Sequence, residues 1–138
     1  MELKINERDL KKMLTSYYKQ RDGVESQLLI NKTMENDRFG PECYVEVTLK
    51  RKIRLLGEER TISETLSEND VKKAVKEIIE AEGFDVYSVT FESGISDSWE
   101  GYGVGEHKVS KPYFGGVTVN LREKVKRKTL IGELIWII

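Results

Sequence analysis

The chain contains two segments that align with each other along much of their length. Residues 6–14 align with residues 67–75, with Glu, Asp and Lys recurring at the same positions and apolar residues matching between them. After a gap of unequal length, the alignment resumes with Phe39-Gly40 opposite Phe114-Gly115. A repeat of this kind determines the topology before single residues are considered. We therefore expect a tandem duplication, with copies at residues 1–66 and 67–138 forming a single compact domain.

Each copy begins with an amphipathic helix. Asn6 is a favourable N-cap, and the apolar residues that follow it recur at helical spacing to about Arg21. Ser67 and Asp70 have the spacing of a capping box at the start of the second helix. Gly83 fits the left-handed position that ends many helices. The sequence therefore predicts two helices of about four turns each.

After each helix the apolar residues alternate with polar ones, which is typical of strands with one buried face. The predicted strands cover residues 24–31, 44–55 and 60–66 in the first copy, and 85–92, 117–125 and 130–138 in the second. One-sided alternation favours antiparallel sheets covered by helices. The expected fold is α+β, a tandem α-β-β-β unit with one or more antiparallel sheets of about six strands, two helices packed on one face and a pseudo-twofold axis.

The elements can also be grouped with the phase shifted by one strand. Residues 60–66, the second helix, and residues 85–92 and 117–125 then make a strand-helix-strand-strand unit. This order resembles that of SHS2-type modules, which bind small molecules and proteins. The resemblance lies in element order alone, so it assigns no site residues to this chain.

Length and composition limit the function classes. The chain has 138 residues and one cysteine, Cys43, so it cannot form an intramolecular disulfide. It lacks both an apolar run of membrane-spanning length and an apolar signal segment at its start. We expect a cytoplasmic protein with no membrane partner. The net charge of -1 indicates no polyanionic partner by itself.

The largest difference between the two copies is the connection at residues 93–116, which we predict to be a long loop. Residues 93–116 include six of the eleven glycines and several aromatic side chains. Rigid aromatic side chains on a permissive backbone are typical of recognition loops. The leading hypothesis is a non-enzymatic binding or accessory protein that presents this loop to a protein or small ligand. The candidate contact residues are Trp99, Tyr102, His107, Tyr113 and Phe114.

Basic residues recur on the second strand of each copy and on the turn after it. Two such hairpins related by a pseudo-twofold could straddle a phosphate backbone. The alternative hypothesis is therefore nucleic-acid binding. Its candidate residues are Lys50, Arg51, Lys52 and Arg54 in the first copy, and Arg122, Lys124, Lys126, Arg127 and Lys128 in the second. The isoelectric point of about 6.0 lies below the range expected of a dedicated nucleic-acid module.

Catalytic patterns are weak. Gly101-x-Gly-x-Gly105 lacks the spacing and the strand-helix setting of a dinucleotide fingerprint. One histidine and one cysteine give no spacing for a metal site. An acid/base group formed by Asp97, Glu100, Glu106 and His107 is a third hypothesis, and enzymatic activity stays open. We predict no catalytic residue, metal or cofactor.

The final segment, Leu134 to Ile138, is apolar on both faces of the predicted strand. An exposed edge of that composition would promote aggregation. We expect the strand to be central in a sheet or covered by a second copy of the chain, which makes a homodimer through the C-terminal strand a further prediction.

Overall fold

The computed structural model describes residues 1–101, 103–122, 125–128 and 134–137, the last two segments by the course of their backbone. The architecture is α+β, with two helices and two three-stranded antiparallel sheets. The elements in chain order are β1 (Glu2–Ile5), α1 (Glu7–Asp22), β2 (Ser26–Asp37), β3 (Gly40–Leu55), β4 (Glu58–Leu66), α2 (Glu68–Ala81), β5 (Val86–Glu100), a short 3-10 turn (Gly103–Gly105), β6 (His107–Leu121), β7 (Val125–Lys128) and β8 (Leu134–Ile137).

Both helices begin where the sequence predicts. The Asn6 side chain accepts a hydrogen bond from the backbone N–H of Asp9 at 2.8 Å. Ser67 and Asp70 form a reciprocal capping box. α1 ends at Gly23, which has the left-handed φ of 69° that glycine adopts without strain. The prediction of two capped helices is confirmed.

The two three-stranded sheets differ from the six predicted strands in one member. β2, β3 and β4 form one sheet in that order, whereas the other sheet has the order β1-β6-β5. Its third strand therefore comes from residues 2–5, with Ile5 opposite Val117, and not from residues 130–138 as we expected. A four-residue strand carries too short an alternation to stand out in the sequence, although Leu3 and Ile5 do alternate with polar neighbours.

The predicted loop at residues 93–116 and the connection between the predicted strands 24–31 and 44–55 both consist mainly of strands. Residues 93–100 and 107–116 extend β5 and β6 as a two-stranded ribbon, and residues 32–37 and 40–43 extend β2 and β3 in the same way. Only the Arg38-Phe39 turn and residues 101–106 connect the strands. The prediction fails because these segments lie beyond the core. Neither face of the ribbon is fully covered, so the apolar alternation disappears while the backbone ladder continues.

The C-terminal segment forms a separate antiparallel pair, in which Val125 lies opposite Ile137. The predicted strand at 130–138 is therefore the shorter β8, and residues 126–128, which we expected in a turn, belong to β7. Residues 129–133 and Ile138 lie outside the described residues. The predicted homodimer through this segment stays a prediction.

The buried apolar side chains form one cluster that draws on both helices and both three-stranded sheets. α1 contacts β2 and β6, α2 contacts β4 and β5, and the helices contact each other. The most fully buried side chains are Leu10, Leu14, Leu28, Leu49, Val47, Val71, Val75, Val117 and Val119. A large part of the favourable free energy of folding comes from burying this cluster.

A β-bulge at Gly115-Gly116 connects the core to the ribbon. Phe91 lies opposite Val117, but Ser93 lies opposite Phe114, so two residues of β6 face one residue of β5. The extra residue shifts the alternation, which turns Phe114 inward together with Val117. Gly116 has a φ of 99°, and a Cβ there would lie 1.9 Å from the carbonyl oxygen of Ile5. Only glycine lets β1 approach β6 so closely.

We predict that Gly116→Ala destabilises the protein by about 3 kcal/mol or more, because it combines a positive φ with a clash against backbone. Urea unfolding followed by circular dichroism measures the change. Gly105→Ala is the matched control, since a Cβ at Gly105 meets no atom within 4 Å, and it should change the free energy of unfolding by less than about 0.5 kcal/mol. Equal stability of the two variants would contradict the prediction.

Candidate functional site

A groove lies between the beginning of β3 and the middle of β5. It consists of two hollows, of about 400 and 260 Å³, that share Cys43 and Ser93. We call it the inter-ribbon groove. Its lining residues are Pro41, Glu42, Cys43, Tyr44 and Val45 of β3, Phe91, Ser93, Gly94 and Ile95 of β5, and Glu68 at the start of α2.

The groove exists because the two ribbons lie beside each other. The Cys43 thiol contacts the carbonyl oxygen of Tyr113 at 3.4 Å, which joins β3 to β6. Ile95 pairs with Pro112 across the ribbon, and both are half-buried. Val45 and Phe91 pack against the edge of the core. The groove therefore contains apolar side chains that continue from the core, and the Lys72 ammonium lies 5.8 Å from the centre of the Phe91 ring.

The predicted aromatic residues do not form one cluster. Phe114 is buried, 5% exposed, with its ring 5.4 Å from that of Phe91. Trp99 is 68% exposed and pairs with Lys108 on one face of the ribbon. Tyr113 and His107 alternate onto the other face. Tyr102 lies outside the described residues. The structure thus assigns Phe114 to the core and separates Trp99 from Tyr113.

The acidic residues of the ribbon are also separated. Asp97 accepts a hydrogen bond from Ser110 at 2.5 Å and lies 3.3 Å from Lys108. These two contacts lower the pKa of Asp97, the hydrogen bond from Ser110 most strongly. Glu100 lies on the opposite face, 3.4 Å from Lys111.

His107 and Glu106 complete the proposed acid/base group. The His107 Nδ1 lies 3.2 Å from the carbonyl oxygen of Gly105, and Glu106 follows the 3-10 turn, where it is exposed. In the part of the chain that the structure describes, no three His, Cys, Asp or Glu side chains converge on a position for a metal ion. The geometry therefore does not bring Asp97, Glu100, Glu106 and His107 together as one catalytic group.

Close packing within the chain explains why two positions of the ribbon, Gly94 and Gly101, are glycine. The Tyr113 ring covers Gly94 so closely that a Cβ there would lie 2.9 Å from the phenol oxygen. At Gly101 a Cβ would lie 2.4 Å from the carbonyl oxygen of Gly105 across the turn. Close packing within the chain explains these residues without a phosphate or other ligand.

The predicted basic residues point in different directions. Lys50, Lys52 and Arg54 alternate onto the outer face of β3, whereas Arg51 faces the opposite way. Lys52 lies 3.6 Å from Glu59. Arg122 lies 3.2 Å from Asp85 and stacks over the Tyr87 ring at 5.6 Å. Lys126, Arg127 and Lys128 are on β7, and Lys124 lies outside the described residues.

Arg51 lies in a polar cleft that the sequence did not reveal. The cleft, of about 290 Å³, separates the C-terminal half of α1 from α2 and β4. The Arg51 guanidinium donates hydrogen bonds to Asp22 and Glu64, each at 2.7 Å. This residue interrupts the apolar face of β3, which was the available signal. Its charge is neutralised within the chain, so we interpret the cleft as a structural ion-pair network.

Two tyrosines of α1 border the same cleft. The Tyr17 hydroxyl donates a short hydrogen bond to the Glu77 carboxylate on α2. This hydrogen bond, with burial as a second cause, raises the pKa of Tyr17. Burial raises the pKa of Tyr18, whose side chain belongs to the core.

Comparisons of the chain with protein-family models, with curated proteins and with solved structures find no match. In the described part of the chain, neither helix is both long and apolar enough to cross a bilayer.

We predict that the Tyr17–Glu77 hydrogen bond makes stability decrease as the pH rises above 10. The folded-state pKa of Tyr17 is raised, so its contribution is complete below the unfolded value of 10.0 and is lost as the pH increases through the folded value. Urea unfolding from pH 8 to 11.5 should show a smaller alkaline loss in Tyr17→Phe than in the parent. Tyr87→Phe is the control, and parallel curves for Tyr17→Phe and the parent would contradict the prediction.

Proposed function

We propose that this chain is a non-enzymatic binding protein whose inter-ribbon groove receives a segment of a partner protein. The observation that carries the proposal is the apolar floor that Cys43, Val45, Phe91 and Ile95 form between two ribbons extending beyond the core. Concave apolar surfaces with a few polar groups at their rim are the usual form of binding sites.

The rim determines the chemistry of the expected partner. The charged residues that line the groove are Glu42 and Glu68, and both are acids. Glu68 also lies 3.7 Å from Lys72, so its charge is partly compensated. A partner segment with apolar side chains and one adjacent lysine or arginine matches this lining. Such a segment would bury its apolar residues on the floor and place its cation at the acidic rim.

Aromatic residues at the far ends of the ribbons can extend the contact. Phe39, in the β2–β3 turn, is 90% exposed, and Trp99 lies near the end of β5. Large rigid rings give contact area at a low entropy cost and are common in interfaces. In this proposal the β5–β6 ribbon is the recognition element, as the glycine and aromatic content of residues 93–116 led us to expect.

Cys43 provides a direct probe of the groove because it is the only cysteine of the chain. A displayed library of random peptides can be selected on the parent protein, and the selected peptides then tested for protection of the Cys43 thiol from a thiol reagent. We predict protection, and about a tenfold or greater loss of peptide affinity in Ile95→Asp, because a carboxylate would be desolvated on an apolar floor.

Tyr87→Asp is the matched control, since Tyr87 is an exposed β5 residue remote from the groove lining. It should bind the selected peptides within about twofold of the parent. Circular dichroism establishes that both variants fold. The proposal would be contradicted if no selected peptide protected Cys43, or if the peptides that protect Cys43 bound Ile95→Asp as well as the parent.

We also infer that the chain is a duplication of a strand-helix-strand-strand unit. β1-α1-β2-β3 and β4-α2-β5-β6 have the same order, and the strand before each helix ends in a buried residue, Ile5 or Leu66, followed by a capping residue. The two Phe-Gly pairs do not support this inference, because Phe39 is in an exposed turn while Phe114 is in the core. The single-domain, cytoplasmic and nucleic-acid hypotheses stay untested predictions.

A further inference from the structure

α1 carries a basic stripe, which is a row of basic and hydroxyl side chains, on the side away from α2. The stripe consists of four cations and two hydroxyl residues at helical spacing, with no acid among them: Arg8, Lys11, Lys12, Thr15, Ser16 and Lys19. Together with Ser26, Gln27 and Leu28 of β2 it lines a groove of about 650 Å³. We call it the basic groove. It shares no lining residue with the inter-ribbon groove, so the two can be tested separately.

In the part of the chain that the structure describes, no carboxylate lies within ion-pair distance of Arg8, Lys11, Lys12 or Lys19. Glu7, at one end of the groove, lies 3.2 Å from Lys32. α2 differs, since its Lys72 and Lys76 each lie 3.7 Å from a glutamate one turn away. Like charges one turn apart destabilise a helix, and an acidic ligand would remove that cost.

β2 contributes an open strand edge to the same groove. β2 pairs with β3 on one side and with no described strand on the other. The Lys52 N–H donates to the carbonyl oxygen of Glu25 at 3.0 Å, so odd-numbered residues of β2 exchange hydrogen bonds with β3. The backbone N–H and C=O groups of Ser26 and Leu28 consequently point away from β3. They offer both donors and acceptors beside the basic stripe.

We propose that the basic groove binds an extended acidic segment of a partner protein, which adds as a strand to β2 and directs its carboxylates toward α1. Strand addition uses the donors and acceptors of an edge together, and alternate side chains then give specificity. The cations of α1 lie where every second side chain of the added strand would point.

Other polyanions fit less well. A phosphodiester backbone accepts hydrogen bonds but donates none, so it would leave the edge carbonyls unpaired, and no aromatic ring lines the groove for base stacking. Amphipathic helices that lie in a membrane surface insert exposed apolar residues, whereas Leu28 is the apolar residue of the lining and is buried. Edge pairing between two copies would bring two basic stripes together.

A peptide of alternating glutamate and valine tests the proposal. We expect it to bind the full-length chain at low salt, to weaken as sodium chloride is added, and to slow hydrogen exchange of the Leu28 amide measured by NMR. Lys12→Glu with Lys19→Glu should reduce its affinity by about tenfold or more, because two attractive contacts become repulsive. Lys73→Glu with Lys76→Glu, the same charge change on exposed positions of α2, should stay within about twofold of the parent.

A second peptide separates strand pairing from simple charge attraction on the unmodified protein. Methylation of alternate backbone amides keeps every carboxylate but removes the donors that a strand needs, and we expect about a tenfold or greater loss of affinity. Equal binding of the two peptides would overturn the proposal, as would a peptide affinity that is the same in the α1 and α2 double variants. Tighter binding of single-stranded oligothymidylate or of anionic phospholipid vesicles than of the peptide would overturn it in favour of those ligands.

Discussion

At Gly116, β1 approaches β6 so closely that no side chain fits between the two strands. The carbonyl oxygen of Ile5 occupies the space where any other residue would have its Cβ. This contact lets the beginning of the chain complete the sheet formed by β5 and β6, and it places Asn6 where it can cap α1. The bulge at the same point turns Phe114 into the core. The pairing of β1 with β6, the capping of α1 by Asn6 and the direction in which the ribbon side chains alternate thus all depend on the backbone at Gly116.

Beyond the bulge, the sheets leave the core and become two-stranded ribbons. Their backbone hydrogen bonds continue, but burial declines from Phe114 through Ile95 to Trp99. The inter-ribbon groove lies where this transition occurs, and so it has a half-buried apolar floor and a polar rim. A surface of this kind exposes apolar area to a partner.

The distribution of charge follows from packing more than from composition. Although the net charge of the chain is near zero, the two helices differ in how their basic side chains are paired with acids. α2 pairs Lys72 and Lys76 with glutamates along its own surface, and Arg51 neutralises acids across the polar cleft. α1 keeps four cations without acidic partners among the described residues, next to the open edge of β2. The nucleic-acid hypothesis rests on the basic residues at 50–54 and 122–128 and does not include those of α1, because helical lysines are common on solvated faces.

Short-range signals in the amino-acid sequence were enough to predict the elements that depend on neighbouring residues. Asn6 and Ser67 mark helix starts because their side chains accept hydrogen bonds from the first turn, and Gly83 marks a helix end because it adopts a positive φ. The alternation from Val45 to Leu55 marks β3 because one face is buried along much of its length. These features, with the α+β class, could be predicted. Other features depend on residues that are distant in sequence and are visible only in the folded chain. They are the pairing of β1 with β6, the ribbons in place of loops, and both grooves. The placement of Trp99 and Tyr113 on opposite faces of the ribbon and of Phe114 in the core is another. Hydrogen bonds between strands join backbone groups, and they can form where neither face of the strands is buried. An unburied ribbon or a four-residue edge strand therefore leaves little hydrophobic pattern in the sequence.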